Sequence, residues 1–148
     1  MIKEKRSIGF VCLANYCRSP VAKILFKKKF GHSFKADSAG INPMVSAGMD
    51  QRSIDFLKEN NAALEIHNPK KVDRNFFNSS SIVFAMDTFV LMELNKNFKN
   101  YRDKIKLFTY QHKNLNLMDP FKLSDEKYKE VMNNIEFVID SLILDEIF

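Results

Sequence analysis

Apolar residues along this chain come in two spacings. Short runs of strand length fall near residues 8–12, 34–38, 81–86 and 105–108. Between and after them lie longer segments, near 19–30, 49–60, 73–78, 88–95 and 124–145, whose pattern predicts helices. The last segment is the plainest: Tyr128, Val131, Met132, Ile135, Val138, Ile139 and Leu142 fall three and four apart and draw one apolar stripe. Strands alternating with helices predict an α/β fold, an open four-stranded parallel sheet covered by helices on both faces. No repeat, linker or low-complexity segment interrupts the alternation, so residues 1–148 read as one domain. In such a sheet a ligand sits beyond the carboxyl ends of the strands. The residues following each apolar run are therefore the candidates for chemistry.

After the first run comes Cys12-Leu13-Ala14-Asn15-Tyr16-Cys17-Arg18-Ser19-Pro20. Five residues between Cys12 and Arg18 are enough to wrap the backbone round a small anion, with consecutive N–H groups pointing inward and the guanidinium closing the ring. Ser19 and Pro20 then start a helix, with proline near the first helical position, and the positive end of that helix faces the same anion. A thiol in that place is expected to react as its thiolate. Asn15 tolerates the left-handed backbone such a loop needs. Leu13, Ala14, Asn15, Tyr16, Cys17, Arg18 and Ser19 together are the candidate phosphate cradle.

With Val11-Cys12-Leu13 and Cys17-Arg18-Ser19-Pro20 stand Asp37-Ser38-Ala39-Gly40, Ala85-Met86-Asp87 and Asp119-Pro120-Phe121. In this order and at this spacing they resemble the landmarks of the low molecular weight protein-tyrosine phosphatases, over nearly the whole chain. The resemblance implies a flavodoxin-like topology with the phosphate-binding loop after the first strand, and a metal-independent, cofactor-free hydrolysis of phosphotyrosine through a cysteinyl-phosphate. Cys12 would be the nucleophile, Arg18 the bidentate oxyanion holder and Asp119 the general acid. Ser19 would donate to the Cys12 sulfur, and Ser38 and His67 would hold Asn15. Tyr16, Met44 and Phe121 would wall the substrate crevice. Family members can also join the cysteines corresponding to Cys12 and Cys17 on oxidation. Asp87 has a plainer reading as the cap of the helix beginning at Thr88.

Four positions depart from the family's usual pattern: Ala14 for a glycine, Tyr16 for isoleucine or threonine, Met44 for an aromatic residue, and Phe121-Lys122 for a pair of tyrosines. They bear on substrate choice. A protein-arginine phosphatase or an arsenate reductase on the same fold, or a phosphate-binding module without turnover, are the competing readings. An arsenate reductase relays a disulfide through further cysteines, and none follows Cys17. Pure binding has no use for a nucleophile and an acid.

Composition narrows the remaining classes. The chain carries a net charge of +5, which favours anionic partners without identifying them; the resemblance implies a phosphotyrosine-containing protein or peptide, with phosphate and other oxyanions as inhibitors. Lys27-Lys28-Lys29 reads as a solvated helix face and the fourteen phenylalanines mostly as core, so no nucleic-acid partner is expected. The opening Met-Ile-Lys-Glu-Lys-Arg is charged, and no apolar run is long enough to span a bilayer. No membrane association is expected, and a cytoplasmic location is. Two cysteines five apart are no secreted disulfide framework, and no metal site has its ligand set.

Overall fold

The structure is a computed structural model describing residues 5–148; the charged opening at residues 1–4 lies outside it. Four parallel strands, β1 (Arg6–Cys12), β2 (Phe34–Gly40), β3 (Ile82–Ala85) and β4 (Ile105–Leu107), form a sheet of order β2-β1-β3-β4. The strand order reverses between β1 and β3. That is the switch point where a crevice opens in an open α/β sheet, and Cys12 ends the strand beside it.

Both faces of the sheet are buried, and side chains along each strand divide between them. Ile8 and Phe10 of β1 and Ile82 and Phe84 of β3 enter one core; Val11, Val83 and Ala85 enter the other. On the first face Phe10 packs against Phe26, Phe84 and Phe108 at centroid distances of 5.6, 5.7 and 5.9 Å. The helices there are α1 (Arg18–Phe30), α2 (Gln51–Glu59) and α5 (Asp125–Ser141). The second face is covered by α3 (Arg74–Ser79) and α4 (Thr88–Asn97).

The expected stripe of α5 is buried from Tyr128 to Ile139, but the helix stops at Ser141 rather than continuing to 145. Leu142 turns extended, and a short 3-10 turn at Leu144–Glu146 brings Ile147 back into the first core. Burying Ile147 decides the break, because a continuing helix would carry the chain past the sheet. The Lys27-Lys28-Lys29 run is spent on neighbours: Lys27 pairs with Glu65 at 2.7 Å, and Lys28 and Lys29 donate to the carbonyls of Asn60 and Asp140.

Candidate active site

The helix ends carry a contrast that locates the site. α2, α3, α4 and α5 are each capped by a side chain, from Asp50, Asp73, Asp87 and Ser124. α1 has none, and its first N–H groups rise directly from the Cys12 loop. Pro20 sits third in that helix, still among the positions whose N–H has no helical partner. An anion in the loop would supply the missing acceptor.

Asn15 adopts φ 51°, the left-handed turn that aims the loop's amides inward, and its own N–H donates to the Cys12 sulfur at 3.2 Å. Ala14 does not have a positive φ, so alanine in place of the usual glycine strains nothing there. The Asn15 side chain is tied down at both ends: Nδ2 donates to Ser19 at 2.8 Å and Ser38 at 3.0 Å, and Oδ1 accepts from the N–H of Lys70 at 3.0 Å. His67 Nε2 lies 2.6 Å from the Asn15 carbonyl. Burial holds the His67 ring below its ordinary pKa, although its bond to Asn15 opposes that, so the ring donates Nε2–H as a neutral imidazole. Ser19, Ser38 and His67 therefore all meet on Asn15.

Arg18 is 1% exposed. Nη1 donates both to Asp87 and to the Leu117 carbonyl, each at 2.6 Å. Burial works against its charge, but the Cys12 and Asp87 charges together outweigh it and raise its pKa above the ordinary value. With its protein bonds running from Nη1, Nε and Nη2 are left for a ligand in the cavity that Arg18 lines. Asp87 does cap α4, through Oδ1 to the N–H of Val90, but its Oδ2 holds Arg18. The plain helix-cap reading missed this second use; the order of residues carries no sign of it.

Cys12, Leu13, Ala14, Cys17 and Arg18 floor a cavity of about 440 Å³, and Tyr16, Met44, Asp119 and Phe121 stand round it. Tyr16 and Phe121 meet edge to face at 5.9 Å, an aromatic pair on the cavity wall. Asn42 and Lys122 also line the cavity; of the two, Lys122 stands at one of the positions that depart from the family's usual pattern. The segment after β2 zips onto the loop, the N–H groups of Ile41, Asn42 and Met44 donating to the carbonyls of Cys12, Leu13 and Ala14. Gly40 is required by that approach. A Cβ there would stand 2.8 Å from the Asn15 nitrogen and 2.9 Å from the Leu13 oxygen.

Cys17 is free, as is Cys12. The Cys17 Sγ–H donates to Oδ2 of the Asp50 carboxylate at 3.9 Å. Burial first, then the nearby negative charges, push the Cys17 thiol up to about 12, so Cys17 is a neutral thiol while Cys12 has the anion cradle.

Comparison with known proteins identifies relatives of the whole fold. A family model described as low molecular weight phosphotyrosine protein phosphatase matches residues 7–147. The low molecular weight protein-tyrosine-phosphatase Wzb of Escherichia coli (strain K12) is 27% identical over 130 residues, 88% of each chain. The protein-arginine-phosphatase of Bacillus subtilis (strain 168) is 29% identical over 142 residues, 91% of this chain and 93% of that one. The solved low molecular weight protein tyrosine phosphatase of T. tengcongensis superposes with a TM-score of 0.85 at 26% identity, over 95% of this chain and 99% of that one.

Proposed function

The chain belongs to the low molecular weight phosphotyrosine protein phosphatase family, and from that premise we propose that it hydrolyses phosphotyrosine in proteins or peptides through a phosphocysteine at Cys12, as one catalytic domain. The single observation that carries the proposal is the convergence on one cavity of Cys12, Arg18 and Asp119, from the end of β1, the start of α1 and the loop before α5.

The thiolate of Cys12 attacks phosphorus, forming S–P as the P–O bond to the phenol breaks. Asp119 gives its proton to the departing oxygen. The loop amides and Arg18 meet the charge on the three equatorial oxygens, which makes a metal unnecessary for that task. In the second step Asp119 takes a proton from water as the water oxygen attacks phosphorus. The S–P bond breaks, and phosphate and the Cys12 thiolate are released. Ser19 donates to the sulfur as its charge returns.

Free phosphate and related oxyanions are expected to inhibit by filling the cradle. A cytoplasmic setting suits the chemistry, because a reducing pool preserves a nucleophilic thiol. No helix of the described residues is long and apolar enough to cross a membrane.

The ring of Tyr16 facing Phe121 supports an aromatic ester over a guanidinium. Turnover of phosphotyrosine, phosphoarginine and phosphoserine peptides, with a chelator present, tests the proposal. Phosphotyrosine is expected to be the preferred substrate, and Tyr16→Thr is expected to shift the kcat/KM ratio toward phosphoarginine. A wild-type protein that favours phosphoarginine would replace this reading with the arginine phosphatase one.

A further inference from the structure

Three near-consecutive residues at the start of α2 join the two halves of the reaction. The N–H of Asp50 donates to the Tyr16 carbonyl at 3.1 Å, and the Ser53 hydroxyl donates to the Cys17 carbonyl at 2.9 Å. Both fix α2 to the phosphate loop. Arg52, between them, reaches the other way. Its Nη2 donates to the Phe121 carbonyl and its Nη1 to the Leu123 carbonyl, each at 2.9 Å. Its guanidinium lies 4.0 Å above the Tyr128 ring, and Asp50 holds it from behind through Nε at 3.3 Å.

The path continues to the acid. Phe121 donates its own N–H to Oδ1 of Asp119 at 3.2 Å. One residue is thus gripped by Arg52 at its carbonyl and holds the acid's carboxylate with its amide. We propose that Arg52 is a positioning residue for catalysis: anchored to the phosphate loop through α2, it sets where the Asp119 carboxylate stands relative to Cys12. The proposal rests on the phosphatase reading above. Arginine suits the task because its planar fork spans two carbonyls and a carboxylate at once; lysine offers one point. Arg52 does not line the cavity, so its effect is expected on proton transfer and on the Phe121 wall.

The test is kcat/KM for aryl phosphates of graded leaving-group acidity, in wild type, Arg52→Gln, Asp119→Asn and the double variant. A misplacement near 1 Å costs up to about 100-fold where a positioned proton is needed. Arg52→Gln is expected to lose about 10-fold or more on unactivated phenyl phosphates and much less on nitrophenyl phosphates. Inhibition by inorganic phosphate should persist. In the Asp119→Asn background the same change should add little, because the group it positions is gone. Equal losses across the series, or losses that simply multiply with those of Asp119→Asn, would overturn the proposal and leave Arg52 a stabilising residue. Arg52→Lys, which keeps the charge and the stem over Tyr128, carries the same series where the glutamine variant does not fold. A wild type that hydrolyses no aryl phosphate would refute the phosphatase reading itself, whereas an active wild type with an indifferent Arg52→Gln refutes this inference alone.

Discussion

The hydroxyl of Ser19 stands 3.0 Å from the sulfur of Cys12. Asn15 donates to the same hydroxyl oxygen at 2.8 Å, and the Ala39 carbonyl stands 3.4 Å away as a second acceptor. When Cys12 is a thiolate it has no hydrogen to give, so in that state Ser19 is the donor to the sulfur. The bond is strongest when the sulfur is a departing thiolate. Ser19→Ala is therefore expected to slow the hydrolysis of the phosphoenzyme more than its formation. Rapid-mixing kinetics with an activated aryl phosphate should show a burst whose following steady rate falls about 10-fold or more. An unchanged steady rate would mean that the hydroxyl serves Asn15 alone.

Asp87 has two duties that one substitution separates. Asn caps helices about as well as Asp, so Asp87→Asn should keep α4 while removing the carboxylate that holds Arg18 at 2.6 Å. Phosphate inhibition is expected to weaken by about 10-fold, the order of one charge-assisted bond. An unaltered inhibition constant would reduce Asp87 to a helix cap.

Gly40→Ala pushes a methyl group against the backbone of Leu13, Ala14 and Asn15, all at 3.0 Å or less. Neither backbone segment can move without spoiling the cradle, so the variant is expected to fold and to lose most of its affinity for oxyanions. Calorimetric titration with phosphate checks this. Wild-type affinity in a folded variant would show that the contact is not the reason for glycine.

The Cys17 thiol loses its proton near 9.0 in the unfolded chain and near 12 in the fold. Between those values the unfolded chain binds fewer protons, so stability falls as pH rises above about 9. Tyr128, whose hydroxyl is also raised by burial, acts in the same direction above 10.0. Cys17→Ala removes the first contribution. The difference in Tm between wild type and Cys17→Ala should shift in the variant's favour from about pH 8 to about pH 11. A pH-independent difference would contradict a thiol held neutral by burial.

Much of this was legible in the order of residues, and the remainder failed for definite reasons. The strands β1 and β3 and the stripe of α5 show because burial on a sheet or helix imposes a period. The cradle shows because Cys12, Asn15 and Arg18 act within one loop, where spacing and geometry are nearly the same thing. Asp87 showed half its role: a cap is local, whereas its grip on Arg18 spans 69 residues. Arg52 showed nothing, since its partners at Phe121 and Leu123 are set by how α2 packs on α5. Gly40 was visible only as part of a motif, its cause being a close approach of two backbones. The end of α5 at Ser141 depended on where Ile147 would be buried, which no local period records.

The central claim is a phosphoryl group carried on Cys12. Asp119→Ala should allow attack on an activated aryl phosphate while slowing the hydrolysis that needs a base. Acid quench of that variant during turnover, followed by peptide mass spectrometry, is expected to find one phosphoryl group on the peptide containing Cys12 and none in Cys12→Ser, whose turnover is lost while phosphate still binds. Turnover in Cys12→Ser near the wild-type rate, or a phosphoryl group trapped on a residue outside the loop, would contradict the account.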